Sequence, residues 1–336
     1  MVAADFNGDG KVDLAVGHTG MALLIGPNGP VFFGWIYQST LEILRGRGNG
    51  TFTRAGVYAV AGAPFDLAAG DANEDGKPDL AVACIDGSGT PVGKLSLLLN
   101  NGSGGLAAQT PITIGQYATS VRFLNLNPGT GTGQDEHLDL AVTKTVLDGD
   151  PMETSSSVMT FLGDGSGGFG SPQTKPLARY GQAWFAAPGD LNEDGLDDLV
   201  VTQLPGAFSA LPSLGDGTLG TEIQTTGMFI PRSVAVADFD GDSRLDVVLT
   251  EDFEDVMRAY RGNGDGTFQA PRAFLSEAVP IRVIHGDWNG DNYPDLATLD
   301  AATGAVKAFL GGSSGSSVGR WLTWGSAPGL PGPRRP

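Results

Sequence analysis

The chain has 336 residues, 40% of them hydrophobic and 17% charged, with 20 Lys and Arg against 38 Asp and Glu for a formal charge of -18. That apolar fraction can build a core, so the acidity is not that of a disordered solvating tail; the scattered Lys and Arg form no basic stripe for phosphates, which excludes nucleic acid as a partner. No apolar run approaches membrane-spanning length, the longest being the interrupted "GPVFFGWIY" after Asn28.

No cationic leader opens the sequence: "MVAA" runs directly into "DFNGDGKVDLAV" from Asp5. Export is therefore expected to be encoded elsewhere, or the chain to be the tail of a longer product. The segment places Asp5, Asn7, Asp9 and Asp13 around a glycine and continues into a short apolar run. An insertion that no other repeat has, "GPNGPVFFGWIYQSTLEIL", follows, and then a second signature, "RGRGNGTF" from Arg45. The acidic pattern returns as "DANEDGKPDLAV" from Asp71, with Cys84 in its apolar run, and "LLNNGSGGL" from Leu98 follows it. A lone cysteine in a strand-like run reads as a buried structural thiol, and no disulfide within the chain is possible.

The third copy, "NLNPGTGTGQDEHLD", is damaged. Asn125 and Asn127 match positions 1 and 3, and Asp135 and Asp139 match positions 5 and 9, but six extra residues intervene, so weak or no ion binding is expected there. Then come "FLGDGSGGF" from Phe161, "DLNEDGLDDLVV" from Asp190, "SLGDGTL" from Ser213, "DFDGDSRLDVVL" from Asp238, "YRGNGDGTF" from Tyr260 and "DWNGDNYPDLAT" from Asp287. The acidity is local: at the repeated ligand positions alone, three carboxylates in each of four loops, four in the loop from Asp238 and two in the damaged copy make up nearly half of the 38 acids.

Apolar runs of strand length flank every acidic loop, and Asn-Gly and Asp-Gly pairs between apolar residues are strong hairpin signals. One repeat reads strand, acidic loop, strand, connection, strand, glycine hairpin, strand. Four short antiparallel strands per repeat predict an all-β chain built as a β-propeller of four-stranded blades, with almost no helix. We expect six blades over residues 1–324, with a truncated seven-bladed ring as the alternative because only Val2, Ala3 and Ala4 precede Asp5. Trp321 to Trp324 would return to complete the first blade, and 325–336 would be a flexible Gly/Pro-rich tail.

Calcium takes six to eight oxygen ligands, and a loop that turns back on itself directs side chains 1, 3, 5 and 9 and the carbonyl of residue 7 at one point. The ligand sets expected are Asp5, Asn7, Asp9, Lys11 and Asp13; Asp71, Asn73, Asp75, Lys77 and Asp79; Asp190, Asn192, Asp194, Leu196 and Asp198; Asp238, Asp240, Asp242, Arg244 and Asp246; and Asp287, Asn289, Asp291, Tyr293 and Asp295, with position 7 acting through its backbone. Position 6 should carry a positive φ; Gly10, Gly76 and Gly195 suit it, and Ser243 and Asn292 replace glycine in the last two copies. An EF-hand is excluded because position 12 is Val16, Val82, Val201, Leu249 or Thr298 rather than glutamate. Magnesium suits the loops less well, since it keeps several waters and a strict octahedron. The competing account is a set of Asx turns without metal; five full copies favour the cation, because close unpaired carboxylates repel. About five Ca2+ would bring the charge from -18 to about -8.

Tandem D-x-[DN]-x-D-G-x-x-D-L-A-V loops with "GNGDGTF"-like turns resemble the FG-GAP and VCBS repeats of integrin α-chain propellers, secreted bacterial and fungal proteins, and some lectins and polysaccharide lyases. The resemblance covers about residues 2 to 312. It implies calcium at the propeller edge and partners bound on loops that differ from member to member.

Trp35 and Tyr37, in the insertion, and Trp184 with Phe185 are candidate partner contacts that could stack on sugars, while Trp288, at the loop position that Phe6 and Phe239 occupy in other copies, reads as a packing residue. For catalysis, His18, His137 and His285 fall at unrelated repeat positions, and no nucleophile elbow, zinc spacing or phosphate loop is present. The expectation is an extracellular or cell-surface, calcium-stabilised module for adhesion to a protein or glycan, not an enzyme. The alternative is the propeller of a polysaccharide lyase or glycoside-cleaving enzyme. Oligomeric state is not readable.

Overall fold

The computed structural model describes residues 1–311 apart from 27–28, 88–90, 128–136, 148–153, 179–181, 229, 252–255, 276–278 and 301–302. The proposed tail 325–336 and the closing segment from Trp321 to Trp324 lie outside the described residues. All regular elements described are strands, in six antiparallel sheets that are the blades of a β-propeller.

Blade 1 is β1 (Val2–Ala4), β2 (Asp13–Gly26), β3 (Gly29–Gly46) and β4 (Phe52–Ala59). The three residues before Asp5 thus do form a strand, pairing with Asp13 to Ala15. Blade 2 is β5 (Ala63–Gly70), β6 (Asp79–Asp86), β7 (Val92–Asn100) and an outer edge split into β8 (Leu106–Ala108) and β9 (Ile112–Gly115), both paired to β7. Blade 3 is β10 (Tyr117–Leu124), β11 (Asp139–Leu147), β12 (Thr154–Phe161) and β13 (Gln173–Pro176); blade 4 is β14 (Ala183–Gly189), β15 (Asp198–Gln203), β16 (Ala207–Leu211) and β17 (Ile223–Thr226). Blade 5 is β18 (Pro231–Ala237), β19 (Asp246–Glu251), β20 (Val256–Tyr260) and β21 (Arg272–Leu275), and blade 6 shows β22 (Pro280–Gly286), β23 (Asp295–Asp300) and β24 (Val306–Phe309).

The second strand of a blade is flanked in its sheet and covered on both faces, which is why "DLAVACI" and "DLVVTQ" are continuous rather than alternating: every residue from Asp79 to Ile85 and from Asp198 to Gln203 is buried. Outer strands such as β4 and β17 alternate toward solvent.

The chain divides into two compact units, residues 1–183 with 213–220, and residues 184–212 with 221–336. In the first, Phe6, Ala15, Leu41 and Ile43 of blade 1 pack on Leu67, Leu80, Val82 and Cys84 of blade 2. Ala81, Ala83, Leu95 and Leu97 of blade 2 in turn meet Val121, Leu140, Val142 and Phe161 of blade 3. Each such Leu, Val or Phe contributes about 1.5–3 kcal/mol on burial. A buried polar contact joins the same two blades, Asp66 accepting from Ser120 Oγ at 2.6 Å and from Arg122 Nη1 at 2.5 Å. In the second unit Val200, Phe208 and Ala210 pack on Val234, Val247 and Tyr260, and Val248, Met257 and Ala259 on Val283, Leu296 and Phe309.

One element departs from the repeat. β1 reaches only Ala15 and β4 only Thr40, while β2 and β3 stay paired with one another from Gly20↔Ile36 to Gly26↔Gly29. The unusual insertion is therefore a two-stranded ribbon that prolongs blade 1.

Candidate metal centres

The first carboxylate of each acidic loop shapes its turn. Asp5 accepts the N–H groups of Gly8, Asp9 and Gly10 at 2.8, 3.1 and 2.7 Å, and Asp287 repeats this with Gly290, Asp291 and Asn292 at 2.8, 3.1 and 2.9 Å. Asp71, Asp190 and Asp238 accept the position 5 and 6 amides in the same way. Position 5 then accepts the position 7 N–H, as Asp9 does from Lys11 at 3.0 Å and Asp194 from Leu196 at 2.9 Å. Position 6 is left-handed in all five loops, with φ of 71° at Ser243 and 65° at Asn292. Position 4 is left-handed as well, including Glu74 at 57° and Glu193 at 60°, which no local pattern announces, because glutamate is not a residue that marks such a position.

The aspartate at position 9 occupies a different environment. Asp13, Asp79, Asp198, Asp246 and Asp295 are all at most 1% exposed. One oxygen accepts the position 2 amide in four loops, from Ala72, Leu191, Phe239 and Trp288 at 2.9–3.1 Å; in the first loop it accepts Asn7 Nδ2. The other oxygen accepts the amide of Gly46, Asn100 or Gly262, at the start of the same blade's glycine hairpin, or of Gly311, two residues past β24, at 2.7–2.9 Å. Position 9 is thus a clasp between the two sequence signatures of one repeat. The clasp needs close backbone approach: a Cβ at Gly46, Gly262 or Gly311 would stand 2.0–2.4 Å from the carbonyl oxygen of Val12, Leu245 or Pro294.

The damaged copy keeps the clasp. Asp139 is fully buried and accepts Leu126 N–H at 2.8 Å and Gly163 N–H at 2.9 Å, while Asp135 and the extra residues lie outside the described ones. Neighbouring repeats are stapled through the position 2 carbonyl. Phe6 accepts Asn100 Nδ2 at 2.9 Å, Ala72 accepts Gly167 N–H at 3.0 Å, Leu126 accepts Ser213 Oγ at 2.8 Å and Leu191 accepts Gly266 N–H at 3.1 Å.

The donor set fits a hard cation. A carboxylate has about four acceptor sites; the backbone takes three from Asp5 and one from Asp9, and protein donors take two from Asp13. Acceptor capacity remains at positions 1, 5 and 9, joined by an amide oxygen at position 3 and a carbonyl at position 7, an all-oxygen set suited to calcium. The electrostatics point the same way. Burial, with Asp75 and Asp71 nearby, holds the Asp79 carboxyl above its ordinary range, and burial together with Asp240 and Asp242 pushes Asp246 up to about 7. Burial is the largest single influence on Asp5 and raises it, but the backbone donors of Gly10, Asp9, Gly8 and Asn7 together outweigh it and hold the carboxyl low. Oxygens of Asp238, Asp240 and Asp246 lie within 4.8 Å of one another. This fifth loop differs from the others in having aspartate at position 3, and there Arg261 forms an ion pair with Asp240.

The aromatic candidates separate. Arg232 stacks 4.7 Å over Trp184 and Arg282 4.0 Å over Phe185. Trp35 and Tyr37 lie on β3 in the ribbon, their side chains outside the described residues. Trp288 does not share the packing role expected for it: Phe6 and Phe239 are 1% and 6% exposed and Trp288 is 49% exposed, because its indole turns back over Gly286. The histidines remain apart, His18 on Glu42, His137 on Glu74 and His285 beside the Phe239 ring.

A family profile described as FG-GAP-like repeat matches residues 5–82, 134–201, 190–249 and 238–298. No curated protein matches the chain. Among solved structures, BBS1N in complex with ARL6DN is similar at a TM-score of 0.53 and 13% identity, over 91% of this chain and 76% of that one. A lectin of Agrocybe aegerita, described as recognising non-reducing terminal N-acetylglucosamine, is similar at 0.51 and 16% identity, over 92% and 76%. At these identities the likeness is one of fold.

Proposed function

The chain belongs to the FG-GAP-like repeat family, and from that premise we propose that it is an exported binding module whose blades are stiffened by calcium and whose partner is a protein or a glycan. The observation that carries the reading is the recurrence of one oxygen-rich turn in five loops, each keeping acceptor capacity on its position 1, 5 and 9 carboxylates after the backbone is satisfied. Like charges held this close raise the free energy of the loop unless a cation lies among them. Calcium there supplies charge neutralisation and a rigid turn. Because position 2 is tied to position 9 in four of the five full loops and, in four repeats, to a neighbouring hairpin, a stiffened turn steadies the blade beside it.

The partner surface is assigned away from the loops. The β2–β3 ribbon carries no charged residue between His18 and Glu42, and an apolar extension of a strongly acidic chain suits contact with another molecule. Trp184 and Phe185, with Arg232 and Arg282 stacked on them, form a second candidate surface. Fold neighbours that bind a protein or a glycan support the class of partner and no particular one.

The test is a thermal melt of the purified chain in EDTA and in millimolar calcium, with calorimetric titration. A rise in Tm with several ions bound is expected; no shift and no binding would reduce the loops to Asx turns. Retention on immobilised glycans or matrix proteins without soluble product supports a binding module, and turnover on a polysaccharide panel would overturn it.

A further inference from the structure

We propose that Arg261 is the resident cation of the fifth loop, holding Asp238–Asp246 closed without metal, so that calcium enters this loop only by displacing a guanidinium. The inference rests on the calcium reading of the other loops. Four loops have asparagine at position 3, namely Asn7, Asn73, Asn192 and Asn289, and three aspartates among positions 1, 5 and 9; the fifth has Asp240 and four aspartates. The extra carboxylate is matched by one extra cation. Arg261 Nη2 pairs with Asp240 Oδ2 and lies 3.4 Å from Asp242 Oδ2, so a single guanidinium spans positions 3 and 5 of the ligand set. The Asp240 side chain is 6% exposed and the Arg261 side chain 39%, so the carboxylate lies inside the loop and the guanidinium closes on it from the solvent side.

The position of Arg261 is itself informative. It precedes Gly262, whose amide closes the clasp to Asp246. In the other repeats that place is held by Arg45, Leu99, Leu162, Pro212 and Leu310. Arg45 is the natural comparison: its loop has Asn7 at position 3, and its guanidinium donates to the carbonyl of Ser103 at 2.8 Å. The same residue type at the same repeat position reaches into its own loop where position 3 is aspartate and reaches elsewhere where it is asparagine. Charge matching at position 3 explains the difference, since an arginine fork pairs with carboxylates rather than with neutral amides.

The experiment uses the full chain and two variants, Arg261→Met and the double variant Arg261→Met with Asp240→Asn, which rebuilds the loop in the pattern of the other four. Calcium is titrated calorimetrically, and hydrogen exchange of the Gly241, Asp242, Ser243 and Arg244 amides is followed in EDTA. Expected are one more tight calcium site in both variants than in the parent, or one site tightened at least about tenfold, and faster exchange at those four amides in metal-free Arg261→Met with no change at Asp194 and Gly195. Equal site number and affinity with unchanged exchange would overturn the proposal. If no protein binds calcium, the calcium reading falls, and the exchange data alone then decide whether Arg261 holds the loop.

Discussion

The second and third acidic loops, Asp71–Asp79 and Asn125–Asp139, stand in adjacent blades and differ in one respect. Both bury their last aspartate and tie it to a position 2 amide and to the hairpin of the same blade. Of the two, the second also has a carboxylate at position 1, which wraps the turn by accepting the Asp75 and Gly76 amides. An acidic loop therefore has two separable parts: position 9 clasps the blade, and positions 1, 3 and 5 carry the oxygens of the proposed cation cage. Asp139 keeps the first across six extra residues and without a carboxylate at position 1, so the clasp does not depend on the full ligand pattern.

The largest expected effect breaks the clasp of the damaged copy. Asp139→Ala leaves the Leu126 and Gly163 amides without their acceptor in a buried site, at about 1–3 kcal/mol for each unsatisfied donor. Urea unfolding should show a loss of about 2–5 kcal/mol, the same in EDTA as in calcium. A loss that appears in calcium alone would mean that the third loop is a metal site and that the comparison is wrong. Next in size is Gly163→Ala, whose Cβ would stand 2.3 Å from the Leu138 carbonyl oxygen. It strains the clasp without removing the carboxylate, for an expected loss of about 1–3 kcal/mol in the same unfolding assay, again independent of calcium.

The sequence made the cage more legible than the clasp. Cage residues repeat as a local pattern of polar side chains with a glycine, and a turn nine residues long can be read without knowing what surrounds it. The clasp joins Asp79 to Asn100 and Asp139 to Gly163, across a whole strand pair, and no local spacing announces it; position 9 therefore read only as a fifth ligand. Strand order was legible for the same local reason, since hairpin glycines and strand-length apolar runs mark each turn. The short first strand was not, because three residues carry too little periodicity until Asp13–Ala15 is seen beside them. Equal loop position does not bring equal cover: Trp288 stands where Phe6 does and is exposed, because cover depends on what packs over the loop.

A smaller effect should distinguish cage from clasp within the second loop. Asp75→Ala removes a position 5 carboxylate that accepts Lys77 N–H at 3.1 Å and meets Lys77 Nζ at 3.2 Å in an exposed ion pair. Neither contact is buried, so the metal-free chain should lose only about 0.5–1.5 kcal/mol. In calcium the deficit should widen, with one ion fewer in the titration. An unchanged ion count would remove Asp75 from the ligand set.

The smallest effect is read from a thiol on the strand that begins at the second clasp. Cys84 lies on β6, five residues beyond Asp79, fully buried, and burial pushes its pKa up to about 12 from 9.0. The folded value lies above the unfolded one, so the native chain holds this proton more tightly. Its contribution to stability is complete below pH 9 and is lost as pH rises toward 12. At pH 8 the thiolate needed for maleimide or disulfide exchange is available only when blade 2 opens, and the labelling rate therefore reports that opening. If calcium in the second loop stabilises the blade by about 1 kcal/mol, labelling should slow about fivefold on adding calcium. The slowing should vanish in Asp75→Ala, whereas in Asp139→Ala it should persist, because that variant leaves the proposed ligands of the second loop intact. Loss of the calcium effect in Asp139→Ala would show that the two loops act as one metal-dependent unit through the staple from Gly167 to the Ala72 carbonyl.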